Sequence, residues 1–355
     1  MEDFLVIGGG IAGLTAGAHL ARHGTVVVLE AESALGFHAS SRSAAIFVPT
    51  YGAPSVKALS LASAEALHDL GVTSPRGIMG VGQAGDEPRL SQMAADMSLT
   101  PIPVAQAVER MSILDEDAIA CAAHREEAWD IDTDALLQHY AREVRANGRI
   151  DTGAEVTGIF REAEGWRVET AAGTERARVI VNAAGAWADR VAEMAGIAPL
   201  GFTPLRRSMA RIEVPGGADA SGWPMVIGAQ ETWYSKPDAG ALIVSPSDAD
   251  PQPPMDAWAD DMVLAEGLAA FEAHVTGEVT RMLANWAGLR TFSPDRALVI
   301  GPAPTDPAFL WMAGQGGYGF QTAPAAGRLL AARALDRVAD VGETTARACD
   351  PARFA

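Results

Sequence analysis

The stretch Phe4-Leu-Val-Ile-Gly-Gly-Gly-Ile-Ala-Gly-Leu-Thr-Ala-Gly17, followed one helix later by Val26-Val-Val-Leu-Glu30, decides the fold. It reads as a strand, a glycine turn, a helix and a second strand ending in an acid, which is the order of a dinucleotide-binding unit. Gly8 lets the chain turn sharply off the strand, and Gly10 leaves room for a pyrophosphate against the backbone. Gly13 lets the helix pack close to the sheet, so that its N-terminal N–H groups, from Ile11 and Ala12 onward, face the phosphates. Glu30, followed by Ala31, stands where a carboxylate accepts both hydroxyls of an adenosine ribose. It would repel a 2′-phosphate, which argues against NADP. A bare Gly-x-Gly-x-x-Gly recurs by chance in loops, but here strand, helix and acid fall in register, and the stretch is a nucleotide site.

The rest of the composition bounds the function. A chain of 355 residues, 48% hydrophobic and 20% charged, builds one large or two smaller domains around a substantial core. The formal net charge of −18 argues against nucleic acid or an anionic membrane surface as a partner. Two cysteines, Cys121 and Cys349, match no metal spacing and suit a reducing compartment. Residues 4–21 carry no formal charge and imitate a membrane span, but five glycines and the acidic Met1-Glu2-Asp3 lead speak against a signal peptide or anchor. The expectation is a cytoplasmic protein without an integral membrane segment.

Nucleotide-domain features return twice. Ala154–Phe160, Trp166–Thr170 and Ala177–Trp187 read as a three-strand excursion ending in an apolar strand and a small-residue turn, and Ala297–Gly301 and Leu310–Gln321 lead into a helix near Ala323. Between them, residues 86–140 read as mostly helical, residues 204–245 alternate like antiparallel strands, and a helix is expected over about 257–273. The predicted fold is α/β: a Rossmann-type nucleotide domain (1–80, 141–200 and 286–355) with an interleaved α+β substrate domain (81–140 and 201–285) carrying a mixed or antiparallel sheet.

Three separated motifs coincide: the glycine turn with Glu30, Val181-Asn-Ala-Ala-Gly-Ala-Trp187, and Gly288-Leu-Arg290 followed by Gly314-Gln-Gly-Gly-Tyr-Gly319. Together they resemble the FAD-dependent D-amino acid oxidase and dehydrogenase superfamily, nearest its bacterial D-arginine dehydrogenase branch. The likeness runs to about residue 330 and includes Ser41-Arg-Ser-Ala-Ala45, Tyr51-Gly, Arg206-Arg-Ser, Trp223-Pro-Met and Lys236-Pro-Asp-Ala-Gly240.

The resemblance implies FAD as the redox group. Gly8, Gly10 and Gly13 would contact the pyrophosphate, Glu30 the ribose, and Val156, Ala183, Ala184, Gly185 and Trp187 the adenine half. Ser40, Ser41, Arg42, Ser43, Ala44 and Ala45 would pass near the flavin, with Gly288 and Arg290. Gly316, Gly317, Tyr318, Gly319, Phe320 and Gln321 open a helix whose N–H groups would stabilise negative charge at the flavin N1–C2 carbonyl. Some relatives attach flavin through a cysteine just before Gly-Leu-Arg; neither cysteine stands there, so non-covalent FAD is expected.

The resemblance also assigns the chemistry, since oxidising an amino acid needs a fixed carboxylate. Arg207 and Arg290 match the arginines that hold it, and a guanidinium fork suits a carboxylate. The bland readings are a solvated strand residue for Arg207 and a salt bridge to Asp295 for Arg290. Tyr51 and Tyr234 match tyrosines lining the pocket, and Gly317 and Gln321 match positions near the substrate amine and flavin. No general base is obvious. His19 and His23 share a helix face at a metal-like spacing, but that edge is expected to face solvent, and no metal is expected.

The match fails where specificity for arginine would sit. Ile78 replaces the glutamate that receives the guanidinium, and Ile46 replaces a pocket histidine, with Val48 beside them. A buried cation left unpaired costs several kcal/mol, so neutral or apolar side chains are expected over D-arginine unless an acid such as Glu231 takes the cation. The expected reaction is hydride transfer from the α carbon to flavin N5, giving an imino acid that hydrolyses to an oxo acid and ammonia, with oxygen or a quinone as acceptor. Oxidation of a secondary amine and a non-catalytic electron-transfer subunit are the alternatives.

Overall fold

The computed structural model describes all 355 residues. Its first layer is a sheet centred on the strand Glu2–Ile7, which pairs in parallel with Val26–Leu29 on one side and with Gly173–Asn182 on the other. Gly148–Asp151 extends the first side, Asp306–Ala313 extends the second, and Val299–Ala303 pairs antiparallel to the latter. The continuous apolar run Val26–Leu29 is buried throughout, as a strand covered on both faces must be. The helix Ile11–Ala21 lies on one face and is buried at every position. It is clamped between the helices Gly319–Ala334 and Thr133–Ala146, and the other face is filled by Trp166, Phe309 and Trp311. The predicted three-strand excursion is Val156–Glu162, Gly165–Thr170 and Gly173–Asn182.

The second layer is an eight-stranded sheet in the order Met282–Phe292, Thr203–Ile212, Ala241–Ser245, Tyr234–Asp238, Met225–Gly228, Ile78–Gly82, Cys121–Arg125, Thr100–Ile102. Every pairing is antiparallel except that of Met225–Gly228 with Ile78–Gly82. The antiparallel reading of 204–245 holds, and the helix expected over 257–273 spans Asp261–Glu272.

Several sequence expectations shift. Residues 86–140 are less helical than expected, since Thr100–Ile102, Cys121–Arg125 and Trp129–Ile131 are strands. The boundaries at 80, 140 and 285 fall inside elements: Ile78–Gly82 and Met282–Phe292 belong wholly to the second sheet, while Thr133–Ala146 packs on the first. The closing helix begins at Gly319, four residues before Ala323. His19 does not face solvent; it is buried with its ring against Gly327, and only His23 is exposed. No helix is long and apolar enough to cross a membrane.

Candidate active site

A cavity of about 1050 Å³ runs between the two sheets. Its nucleotide end is built by the glycine turn. Gly8 has φ +110°, and a Cβ there would lie 2.5 Å from Ala183 O; a Cβ on Gly13 would lie 1.8 Å from Gly8 O. Both positions are therefore closed to any side chain. Gly10 differs, because a Cβ there would meet only Ser40 Oγ, at 3.2 Å, and would otherwise fill the cavity where a ligand approaches the backbone. Ile11 N–H donates to Ser40 Oγ at 3.0 Å, which leaves the N–H groups of Ala12 and Gly13 without a protein acceptor. Glu30 is buried; its Oε2 accepts from Gly9 N at 2.6 Å and its Oε1 from Glu32 N at 2.9 Å. A carboxylate offers about four acceptor positions, so two remain for ribose hydroxyls.

Ala31, Ser43, Ala44, Ala45, Val156, Ala183, Ala184, Gly185, Trp187, Gly288, Gly316, Gly319 and Phe320 also line the cavity. So does Arg42, which is tied down by Ala257 O at 2.9 Å, Ala287 O at 3.0 Å and Asp256 at 2.6 Å. The helix Gly319–Ala334 points its N-terminus at the same space, with the N–H groups of Gly319, Phe320 and Gln321 free of protein acceptors. Three expected contacts are not made from the wall. Gly13 is spent on helix–strand approach. Ser41 is exposed and donates to Phe37 O at 2.9 Å. Tyr318 lies behind the wall, its ring 5.5 Å from Tyr51 and 6.3 Å from Phe292. Burial pushes the Tyr318 phenol up to about 12, so it stays protonated.

The other end holds two cations. In the register of Thr203–Ile212 against Met282–Phe292, Arg207 opposes Gly288 and Leu205 opposes Arg290, so the two arginines are diagonal neighbours on one face. Arg206 points to the opposite face, against Asp248, Asp250 and Asp260. Arg290 has no ion pair, and its Nε is buried without a partner. Asp295 pairs with Arg353 at 2.7 Å instead. Burial and then the neighbouring Arg207 lower the Arg290 pKa. Gly317 permits this placement, since a Cβ there would lie 3.1 Å from Arg290 Nη1. Gln321 is buried; its Oε1 accepts from Val48 N at 3.3 Å and its Nε2 has no partner.

Around the arginines the wall is apolar. Ile46, Val48 and Ile78 line it with Tyr51 and Tyr234, and Tyr234 OH finds only Met209 Sδ, at 3.2 Å. Met93, Met97, Met209 and Met225 complete it and were not anticipated. Met209 was within reach, being two positions from Arg207 on the same strand face. Met93 and Met97 look like an ordinary core stripe at helical spacing. Gln315, whose Nε2 is buried and unpartnered, was also missed. Glu231 is the one acid at this end; it is exposed, unpaired and held at φ +55° on the rim. Cys121 and Cys349 are free, and neither reaches the cavity.

A cavity with a helix N-terminus at each side, a buried acid near one end and two neighbouring arginines at the other has the shape and charge pattern of a site for an extended nucleotide cofactor and an anionic partner. Residues 3–333 match the family of FAD-dependent oxidoreductases known as DAO, and the chain belongs to that family. Its cofactor is FAD, and the residues of the nucleotide end fit it. Among curated proteins, the chain is 25% identical over 263 residues to FAD-dependent oxidoreductase domain-containing protein 1 of Bos taurus; the match covers 62% of this chain and 52% of the relative, so the chain spans about half its length. Among solved structures, glycine oxidase from Geobacillus kaustophilus has the same fold (TM-score 0.81, 21% identity, 96% of each chain). So do L-proline dehydrogenase from P. horikoshii (0.83, 22%, 99% and 97%) and L-α-glycerophosphate oxidase from Mycoplasma pneumoniae, solved with FAD bound (0.85, 18%, 94% of each).

Proposed function

We propose that the protein oxidises the C–N bond of an amino acid, in the D series by its resemblance to D-amino acid dehydrogenases, and that it favours neutral or apolar side chains. The observation that carries this reading is a pair of arginines, neither in an ion pair and Arg290 with its Nε unpartnered, set in an apolar chamber. FAD, when bound, supplies the two-electron acceptor at flavin N5. Arg207 and Arg290 hold the substrate carboxylate and so fix the α carbon. Tyr51 and Tyr234 line the sides, and the amine proton leaves to solvent or to the pocket, since the one acid at this end, Glu231, stands exposed on the rim. Loss of hydride and proton yields an imino acid, which water converts to an oxo acid and ammonia.

Ile46, Ile78 and the four methionines offer contact to an apolar side chain and nothing to a cation. Glu231, exposed to water on the rim, offers a guanidinium little. A cytoplasmic setting, with free cysteines, and oxygen or a quinone as acceptor complete the proposal. L-proline dehydrogenase, which shares the fold and is named for a secondary amine, makes a secondary amine the second reading. Anaerobic flavin absorbance of the purified protein, mixed with D-amino acids, their L-enantiomers, sarcosine and proline, tests all of this. Bleaching is expected with D-leucine or D-methionine and weakly with D-arginine. Preference for D-arginine overturns the side-chain reading, and bleaching only by sarcosine or proline selects the secondary-amine reading. No bleaching at all supports an electron-transfer subunit.

A further inference from the structure

Segment 246–252 runs along the strand Thr203–Ile212 past the point where Ala241–Ser245 stops pairing with it, opposite Ala210. Main-chain bonds seat it there: Arg206 N–H donates to Asp250 O at 2.9 Å and Gln252 N–H to Pro204 O at 3.0 Å. Between Ala210 and Arg206, Ser208 N–H faces no carbonyl. It donates instead to Asp248 Oδ1 at 2.6 Å, so a side-chain carboxylate stands in for a missing rung of the ladder. The second oxygen, Oδ2, accepts from Ser208 Oγ at 2.8 Å and from Arg206 Nε at 3.3 Å. The Asp248 side chain is 4% exposed, so these partners replace nearly all of its water.

The main chain of the same residue turns the other way. Asp248 O accepts from Arg207 Nε at 2.8 Å, the one hydrogen bond the Arg207 side chain makes within the protein. Neighbouring arginines on opposite strand faces thus engage one residue, Arg206 through its carboxylate and Arg207 through its carbonyl. Just before it, Ser247 holds φ +59° and lines the cavity.

We propose that Asp248 is a positioning residue for Arg207. Its carboxylate bolts segment 246–252 to the strand edge, which aims its carbonyl at Nε and fixes the plane in which the two terminal guanidinium nitrogens meet a carboxylate. A two-pronged fork is useful only when its plane is set beforehand. The proposal rests on Arg207 being a carboxylate anchor, as in the reading above.

The test uses the full-length FAD-loaded protein and 3-phenylpropanoate, a monocarboxylate with no amine to oxidise, titrated by its effect on the flavin spectrum and by calorimetry. Asp248→Ala is expected to weaken probe binding about ten-fold, with FAD affinity unchanged. With a turned-over amino acid it is expected to raise KM about ten-fold while kcat moves little, because the interaction serves ground and transition states alike. Asp248→Asn keeps an acceptor for Ser208 N–H but turns an amide NH₂ to Arg206, so it should fall between Ala and wild type. Unchanged probe affinity in the Ala variant overturns the proposal, as does an equal loss of probe and FAD affinity, which would mean general loosening. If the Ala variant does not fold, Asp248→Asn decides by the same two readings. Probe binding needs no turnover, so failure of every amino acid to reduce the flavin would sink the proposed activity without touching this result.

Discussion

A guanidinium whose Nε is buried without a partner, as in Arg290, is destabilising to the empty protein, because the charge has lost water without gaining an anion. A residue kept for stability would not look like this. Arg290→Met, which keeps the stem and removes the charge, should weaken carboxylate binding by about 3 kcal/mol or more. It should leave the thermal midpoint of the FAD-loaded protein unchanged or slightly raised. Calorimetric melting beside carboxylate titration checks both, and a large fall in midpoint would mark Arg290 as structural. Ile78 allows the reverse experiment. It is 1% exposed, sits opposite Met225 in the register and lines the chamber. Ile78→Glu places a carboxylate in the apolar chamber, at the position where the resemblance to the D-arginine branch implies one. It should raise kcat/KM for D-arginine relative to D-leucine at least about ten-fold. No change in that ratio would detach side-chain recognition from this position.

At the scale of elements, the glycine turn separates packing from ligand binding within six residues. Gly13→Ala forces a methyl to 1.8 Å from Gly8 O and should prevent folding, seen as loss of soluble protein or of cooperative melting. Gly10→Ala has only Ser40 Oγ to displace. The apo-protein should therefore melt as wild type does, while FAD binding, read by flavin fluorescence quenching, weakens about ten-fold or more. The two glycines were equally visible in the sequence, and their different tasks were not, because the difference is what each Cβ would meet. The same limit applies elsewhere. Val26–Leu29 announced itself by an unbroken apolar run, and the strands of 156–182 by alternation and turns. Cys121-Ala-Ala-His-Arg125 has no β-branched residue and no Phe, Tyr or Trp; it is a strand because Ile78–Gly82 and Thr100–Ile102 pair with it on either side. Arg207 and Arg290 were found through resemblance. Their placement side by side needed the register of two strands 70 or more residues apart, and the methionine wall needed elements from elsewhere in the chain.

The whole molecule closes where its N-terminal crossover helix meets its C-terminal one, and His19 is buried in that seam. Its ring packs against Gly327 and lies 6.3 Å from Tyr140, so it sits where the helices Ile11–Ala21, Thr133–Ala146 and Gly319–Ala334 meet. Burial, helped by Arg22 and Arg328, brings its pKa down from 6.5 to about 4. Between those values the unfolded chain binds a proton that the folded chain refuses, so stability is complete above pH 6.5 and falls as pH drops towards 4. The full effect is on the order of 3 kcal/mol. Asp295, held down to about 2 by Arg353 and Ser293 against its own burial, adds a loss of the same sign only below about pH 4. The two windows do not overlap. Urea unfolding at pH 7 and 4.5, compared between wild type and His19→Gln, isolates the first: the wild type should lose about 2–3 kcal/mol more than the variant. Parallel losses in the two proteins would mean that His19 ionises freely and that the seam opens to water without unfolding the rest.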